Sequence, residues 1–364
     1  MSSLFQRVYD RWSYEPLPSD YTPSASRKRS QLRLRICIGT VVGAGLVWAL
    51  TRVSFRNTYN PLDNYQNINQ VSVTTSSGAM SPSPPDRRAI VSSLYSDNFA
   101  IAVAVVGYSA RSSNTSARLI LPYLENQVSE KALCITRALG WEPYAVPLIL
   151  PPQGGKYIHP RFKDQYTKLN IWGLDKMGVE SAVYLDADTL VRRNFDELFD
   201  SPFNFAAVPD VYGAGDPRGF SLSFNAGVLA FRPSSTVLQD LLRKMEIAEY
   251  PLKQAEQAFL NLYFGGTCLR LPYVYNGNLA IKARNPVLWK RLADEMRIVH
   301  YTAVKPFIND ARSSDELLLP EEVEEAINQG ERRDKGFYAE EVRWWREAYE
   351  SMMRDKGDEI RACY

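Results

Sequence analysis

From residue 88 onward the chain alternates short apolar runs with longer stretches of helical spacing. "RAIVSSLY" (88–95) reads as a strand, "NFAIAVAVVGYSARS" (98–112) as a helix, and "ARLILPYL" (117–124) as a strand. "SEKALCITRALG" (129–140) follows as a helix stopped by Gly140, then "EPYAVPLIL" (142–150) as a strand. "YTKLNIWGLDKMG" (166–178) is a helix stopped by Gly178, and "SAVYLDAD" (181–188) is the next strand. Strands that alternate with helices imply parallel crossover units, so the expected fold class is α/β, a mostly parallel, doubly wound sheet with helices on both faces. Sheets of this kind bind ligands at the carboxyl ends of their strands. Beyond residue 312, "PEEVEEAIN" and "YAEEVRWWREAYESMM" read as two amphipathic helices, with Trp344 and Trp345 capping the core.

The pattern before residue 88 is different. Residues 1–31 are rich in Ser, Pro, Arg and Tyr without periodicity and read as a disordered cytosolic tail. Residues 36–51, "ICIGTVVGAGLVWALT", carry no charge and lie between Arg33 and Arg35 in front and Arg52 and Arg56 behind. A bilayer core asks for about 20 apolar residues and tolerates roughly 17, and flanking arginines that snorkel extend the run to 32–53. The positive charge of "SRKRSQLRLR" keeps the N-terminus cytosolic, which makes the expected protein a signal-anchored, type II, single-pass membrane protein of the Golgi or endoplasmic reticulum. Residues 54–86, ending in a Ser- and Pro-rich stretch, read as a stem. A luminal catalytic domain over 87–312 and C-terminal helices over 313–364 complete the expected organisation.

Composition excludes several classes. With 364 residues, 45% of them hydrophobic and 23% charged, the chain is not disordered throughout. Its 43 basic and 41 acidic residues produce no global field that would recruit nucleic acid, so an anionic ligand needs a local site. Cys37, Cys134, Cys268 and Cys363 lack the paired spacing of a zinc site and read as no disulfide framework; the pairing of the last three stays open.

The strand of Ala182, Val183, Tyr184 and Leu185 runs directly into Asp186 and Asp188. In extended chain, residues two apart point to one side. Two carboxylates held that way raise each other's pKa unless a cation lies between them. Oxygen ligands favour a hard divalent ion that bridges carboxylates to a substrate's phosphates, manganese or magnesium rather than zinc or copper.

Further on come "FNAGVLAF" (224–231), "AEQAFLNLYF" (255–264), "LPYVYN" (271–276) and "IVHYTAVKPF" (298–307). With the Asp-x-Asp strand, this ordered set resembles glycosyltransferase family 8, the group of glycogenin and galactinol synthase, over residues 88–310. The resemblance implies a single nucleotide-sugar-binding domain of GT-A type, with Asp186, Asp188 and His300 holding manganese on a UDP-sugar. It implies that Lys305 contacts the diphosphate, although four residues separate it from His300, fewer than the family's usual spacing, and Phe307 stands where tryptophan is common. Lys168 resembles the lysine that contacts donor sugar or phosphate, and Asp210 in "AAVPD" the aspartate that binds sugar hydroxyls. Asn225, Ala226 and Gly227 of "FNAG" and Gln257 of "EQ" line the same pocket in relatives, and the loop of Leu94, Tyr95, Ser96 and Phe99 is where they cradle uridine, with Tyr95 or Phe99 as a stacking ring. Glu256 is the motif carboxylate nearest the anomeric carbon. His159 matches nothing in the family.

The function this implies is retaining, manganese-dependent transfer of a hexose or N-acetylhexosamine from a UDP-sugar to a hydroxyl of a glycan, glycoprotein or glycolipid. After Asn276 the sequence "GNLAIKARNP" has no tyrosine, which argues against glycogenin-like self-priming. A cytosolic galactinol synthase-like or glycogenin-like enzyme and an inactive binding protein of the same fold are the alternatives. The sequon at Asn114 is expected on the face away from the donor. Donor sugar, acceptor, linkage and oligomeric state are not readable from the chain.

Overall fold

A computed structural model describes residues 83–156, 158, 160–211, 223–308 and 315–364. The expected tail, membrane span, nearly all of the stem, and His159 lie outside the described residues. Among those described, which fall in one compact unit, no helix is long and apolar enough to cross a membrane.

The chain opens with β1 (Arg88–Val91), α1 (Ala100–Ser112), β2 (Arg118–Leu124), α2 (Glu130–Ala138) and β3 (Trp141–Val146). A helical segment with 3-10 hydrogen bonding, Pro160–Met177, leads to β4 (Ser181–Leu185), followed by β5 (Thr189–Val191), β6 (Phe205–Pro209) and β7 (Phe224–Phe231). Next come α3 (Ser235–Ile247), α4 (Ala255–Phe264), β8 (Leu269–Arg270), β9 (Gly277–Asn278), α5 (Ala280–Arg284), α6 (Pro286–Leu292) and β10 (Ile298–His300). Two helices, α7 (Pro320–Arg332) and α8 (Ala339–Arg361), close the chain.

The main sheet has seven strands in the order β3-β2-β1-β4-β7-β6-β8. Strands β3, β2, β1 and β4 run parallel, as the alternation of strand and helix predicted. β7 runs antiparallel to both β4 and β6, a local departure from the expected parallel order. It follows β6 in sequence and pairs beside it, so it enters next to β4 running backwards. That reversal brings the start of β7 to the carboxyl end of β4. A second sheet, β5-β10-β9, forms beside that end.

The strands read as buried runs because both sheet faces are covered. Ile90, Leu119, Leu121, Val183 and Leu185 belong to one core with α1, α2 and α8, while Ala89, Val91, Ile120, Ala182 and Tyr184 belong to a second core under Pro160–Met177, α3 and α4. In the second, Trp172 lies 5.1 Å from Phe231 and 5.4 Å from Phe264 between ring centroids. Truncating a buried tryptophan of this kind costs about 3–5 kcal/mol. The helix of Pro160–Met177 stops at Gly178, whose φ of +77° is the left-handed conformation that glycine reaches without strain. The predicted strand at 142–150 ends early at Val146, ahead of Pro147. Asn114 is exposed between α1 and β2, at the amino ends of the parallel strands and so opposite the carboxylates, where it was expected.

The two terminal helices form as predicted. Trp345 is fully buried, stacked on Tyr349 at 5.5 Å and 5.8 Å from Phe307, whereas Trp344 lies at the rim under the guanidinium of Arg192 at 3.8 Å. The expectation for the cysteines needs correction: Cys134 of α2 and Cys363 beyond α8 form a disulfide across 229 residues. No local spacing signals a bridge that long, because the partners meet only once α8 has packed on α2. Closing so large a loop stabilises by at most about 5 kcal/mol. Cys268 is free.

Candidate metal and donor site

β4 is buried along its whole length, and its last residue delivers the chain to Asp186 at the sheet edge. Two backbone bonds then fix the turn. Asp186 N–H donates to Gly227 O at 2.8 Å, tying it to β7, and Tyr301 N–H donates to Asp188 O at 2.8 Å, tying it to the chain after β10. Antiparallel pairing sets His300 opposite Thr189, the residue after Asp188. One ligand atom each from Asp186, Asp188 and His300 therefore lie within 4.8 Å of one another. Among the described residues the three expected metal ligands, 114 positions apart at the extremes of the group, do converge.

The histidine is oriented by residues behind it. Asn276 Nδ2 donates to Asn225 Oδ1 at 2.9 Å, which leaves Asn276 Oδ1 to accept from His300 Nδ1 at 3.1 Å. That contact assigns the proton to Nδ1 and turns the Nε2 lone pair toward Asp188 Oδ1 at 3.2 Å and Asp186 Oδ2 at 3.9 Å. Burial lowers the His300 pKa, with Lys168 adding to the effect and Asp186 opposing it, so the ring is neutral near pH 7. Three electron-rich atoms thus face one another with no proton between them. A divalent cation fits that donor set, because it is the species that turns this repulsion into attraction. Gly227 makes the arrangement sterically feasible: a Cβ there would lie 2.2 Å from His300 Cε1.

Two lysines flank the cluster. Lys168, from the helical segment, is only 2% exposed and donates to Glu256 Oε1 at 2.8 Å and Ala226 O at 3.2 Å, with Asp186 Oδ1 at 3.1 Å. Burial works against its charge, but Asp186 and Glu256 outweigh that and raise its pKa. On the acid side, burial raises both carboxyls; for Asp186 the opposing pull of Lys168 and His300 wins and lowers the pKa, while for Glu256 burial wins and raises it. Asp186 also accepts from Tyr184 Oη at 2.8 Å, and that hydroxyl shares a 2.8 Å hydrogen bond with Ser93. Lys305 reaches Asp188 Oδ2 directly, so the short spacing from His300 does not keep it from the cluster.

The sugar-side residues form a connected strip. Gln257 Nε2 donates to Asp210 Oδ2 at 3.0 Å, while its Oε1 accepts from Ala226 N at 3.0 Å and Asn225 Nδ2 at 3.3 Å. Asn225 Oδ1 accepts from Gly227 N at 3.0 Å. Immediately before Glu256, Ala255 has φ +47°, a strained conformation for a residue with a Cβ, costing roughly 1–3 kcal/mol. Strain of this size beside a buried carboxyl marks a residue whose direction is enforced.

The expected uridine loop divides. Leu94 is fully buried and its backbone is bonded to β2 through Pro122 O at 3.0 Å and Leu124 N at 3.2 Å, so its side chain belongs to the core and offers a ligand no surface. Ser96 Oγ donates to Asn98 Oδ1 at 2.7 Å, and Phe99 packs edge-on against Phe307 at 5.5 Å. Tyr95 turns its hydroxyl inward, where it is buried, and that burial raises its pKa. Sequence reading gave no role to Asn276, Tyr184 or Ser93. Asn276 had a signal, since it ends the "LPYVYN" motif; the other two are unremarkable strand-end residues until β1 and β4 pair.

The sequence pattern of glycosyl transferase family 8 matches residues 90–310, more than half of the chain. Galactinol synthase 1 of Solanum lycopersicum is 33% identical over 162 residues, 40% of this chain and 49% of the relative. Inositol phosphorylceramide glucuronosyltransferase 1 of Arabidopsis thaliana is 30% identical over 178 residues, 48% of this chain and 30% of the relative. Glycogenin of Neurospora crassa is 25% identical over 223 residues, 59% of this chain and 30% of the relative. The chain thus spans at most about half the length of these curated relatives. Because the matched region runs from the first strand through Lys305 and includes every residue of the charged cluster, the chain belongs to glycosyltransferase family 8, with a GT-A-like α/β fold around a mostly parallel sheet.

Proposed function

We propose that this chain transfers a hexose or N-acetylhexosamine from a UDP-sugar to a hydroxyl of a glycan, glycoprotein or glycolipid, with retention of anomeric configuration. The observation that carries this reading is the convergence of Asp186, Asp188 and His300 within 4.8 Å, flanked by Lys168 and Lys305. Manganese, or magnesium in its place, would be held by those three side chains and would supply charge stabilisation to the diphosphate as it departs.

The chain's own residues supply the rest. Lys305 offers the leaving diphosphate a compact positive charge, and the preorganised position of that charge lowers the cost of bond cleavage. Asp210, held by Gln257, accepts hydrogen bonds from sugar hydroxyls. Glu256 and Gln257 stand where positive charge develops on the sugar, with Lys168 setting the carboxylate's direction. The acceptor then attacks from the face the leaving group vacates. Trapping a glycosylated Glu256 by mass spectrometry would replace this route with a covalent one.

A luminal, membrane-anchored placement accords with the apolar segment at 36–51, and the Cys134–Cys363 disulfide supports it, since such bonds persist in oxidising compartments. A second reading, a cytosolic enzyme acting on a polyol or inositol, is favoured by the likeness to galactinol synthase 1. Protease protection of the catalytic region in sealed microsomes supports the first, and its digestion supports the second. Incubating the protein with manganese and a panel of UDP-sugars is expected to release UDP. No release with any donor or acceptor, together with an Asp188→Asn variant indistinguishable from wild type, overturns the transferase reading.

A further inference from the structure

Lysine carries its charge on a flexible four-carbon stem, so the aim of the Lys305 ammonium depends on the backbone beneath it. That backbone is reached through residues 301–304, which follow β10 without regular secondary structure and connect His300 to Lys305. Tyr301 is fixed at both ends: its N–H donates to Asp188 O at 2.8 Å and its hydroxyl to Glu341 O at 2.7 Å. Thr302 then turns the chain, its N–H donating to His300 O at 2.9 Å and its hydroxyl to Asn278 Oδ1 at 2.5 Å. Asn278 ends β9 in register with His300 and is only 6% exposed. Its Oδ1 also accepts from Ala280 N–H at 2.9 Å, and because a backbone N–H requires an acceptor, that bond settles which end of the side-chain amide meets Thr302. Two asparagines placed two residues apart thus divide the work. Asn276 orients the imidazole, and Asn278 holds the turn that follows it.

We propose that Asn278 and Thr302 are positioning residues that aim Lys305 at the donor's diphosphate. This rests on the reading of the site as a UDP-sugar transferase. Only four residues separate His300 from Lys305, so a change of direction at Thr302 reaches the lysine with little slack to absorb it. On the far side of the lysine, Phe307 is buried against Phe99 and Trp345. Lys305 therefore lies between an aromatic anchor and a hydrogen-bonded one, and the hydrogen-bonded anchor is the one that fixes the turn after the metal cluster.

The test uses the full chain. Thr302 is the residue to change, because it is exposed and its substitution leaves the core intact, whereas Asn278 is buried. Affinity for manganese alone, and for UDP in saturating manganese, is measured calorimetrically for wild type, Thr302→Val, Thr302→Ser, Lys305→Ala and the double variant Thr302→Val/Lys305→Ala. Thr302→Val is expected to weaken UDP binding about fivefold, the scale of one neutral hydrogen bond, and to leave manganese affinity unchanged. Thr302→Ser keeps the hydroxyl and is expected to restore UDP affinity. In the Lys305→Ala background, Thr302→Val is expected to add less than about twofold, because the side chain it acts through has gone. The proposal is overturned if Thr302→Val binds UDP like wild type, if Thr302→Ser fails to restore binding, or if manganese affinity falls as far as UDP affinity. It is also overturned if the two losses multiply in the double variant, which would make Thr302 a direct contact. Failure of wild type itself to bind UDP strikes the transferase reading, and this inference with it, a result distinct from a loss confined to the variants.

Discussion

Two clusters of buried charge occupy this molecule, and they differ in what is left over. At the base of α8, Glu341 is fully buried and its carboxylate is saturated: Lys282 Nζ donates to both oxygens at 2.8 Å and Trp289 Nε1 donates to one at 2.7 Å. At the end of β4, Asp186 Oδ2 has, among the described residues, only His300 Nε2 in reach, at 3.9 Å, and His300 Nε2 faces Asp188 with its lone pair. The first cluster locks α8 onto α5 and α6. The second, although Lys168 and Lys305 pair with its carboxylates, keeps one oxygen of each carboxylate and the imidazole Nε2 facing one another with no hydrogen between them. Buried charge alone therefore does not mark a site; spare coordinating capacity does.

Experiments on either cluster can break this contrast. Asp188→Asn removes a metal ligand and the partner of Lys305, and is expected to lower sugar transfer about a thousandfold, as the loss of one preorganised charge-stabilising group can. Its Tm without metal should hold, since the variant also relieves repulsion among electron-rich atoms. Glu341→Ala is expected to do the opposite: it strands Lys282 and destabilises the fold by about 3–5 kcal/mol in denaturant titration, while the surviving folded protein binds manganese normally. If Glu341→Ala instead weakens metal binding more than stability, the two clusters are one system and the contrast fails.

Smaller effects sharpen it. Asn276→Leu leaves His300 in place but removes the acceptor that fixes its tautomer, so manganese affinity should fall about tenfold, the lower end for losing a partner behind a metal ligand, with UDP-sugar affinity falling in step. The smallest effect concerns pH. Only neutral His300 can ligate, and its pKa lies below the ordinary 6.5, so acidification must proceed past that value before protons displace the metal. Manganese affinity measured from pH 8 downward is expected to stay level to about pH 6.5 and decline below it. A decline that begins above pH 6.5 would mean the ring is not held neutral.

Much of the fold was legible because both its layers follow a local rule. Buried parallel strands appear as continuous apolar runs, and Gly140 and Gly178 end helices at their expected positions. The candidate metal cluster was legible for a different reason: Asp186 and Asp188 sit two apart at a strand end, and His300 closes an apolar run within a family motif. Lys168 was read as a donor contact, yet nothing local distinguishes it from a solvated helix charge; it becomes a buried ammonium only when α4 brings Glu256 against it. Tyr95 was read as a stacking ring; that its hydroxyl turns inward and is buried was not legible, since the direction of a side chain in a loop depends on Leu94 turning into the core beside it. The disulfide was invisible because its halves are 229 residues apart.

By itself, then, the sequence determined the alternation of strand and helix, the carboxylate pair at the end of a strand, and the family to which those motifs belong. Those properties rest on periodicity and on spacing within a few residues, which survive in a one-dimensional string. Only the tertiary structure decided that β7 enters antiparallel beside β4, that Gly227 leaves space for the imidazole, and that one carboxylate is saturated while another keeps an oxygen turned to a lone pair. These depend on which distant segments meet, because the energy of a charge inside a protein is set by the few ångströms around it.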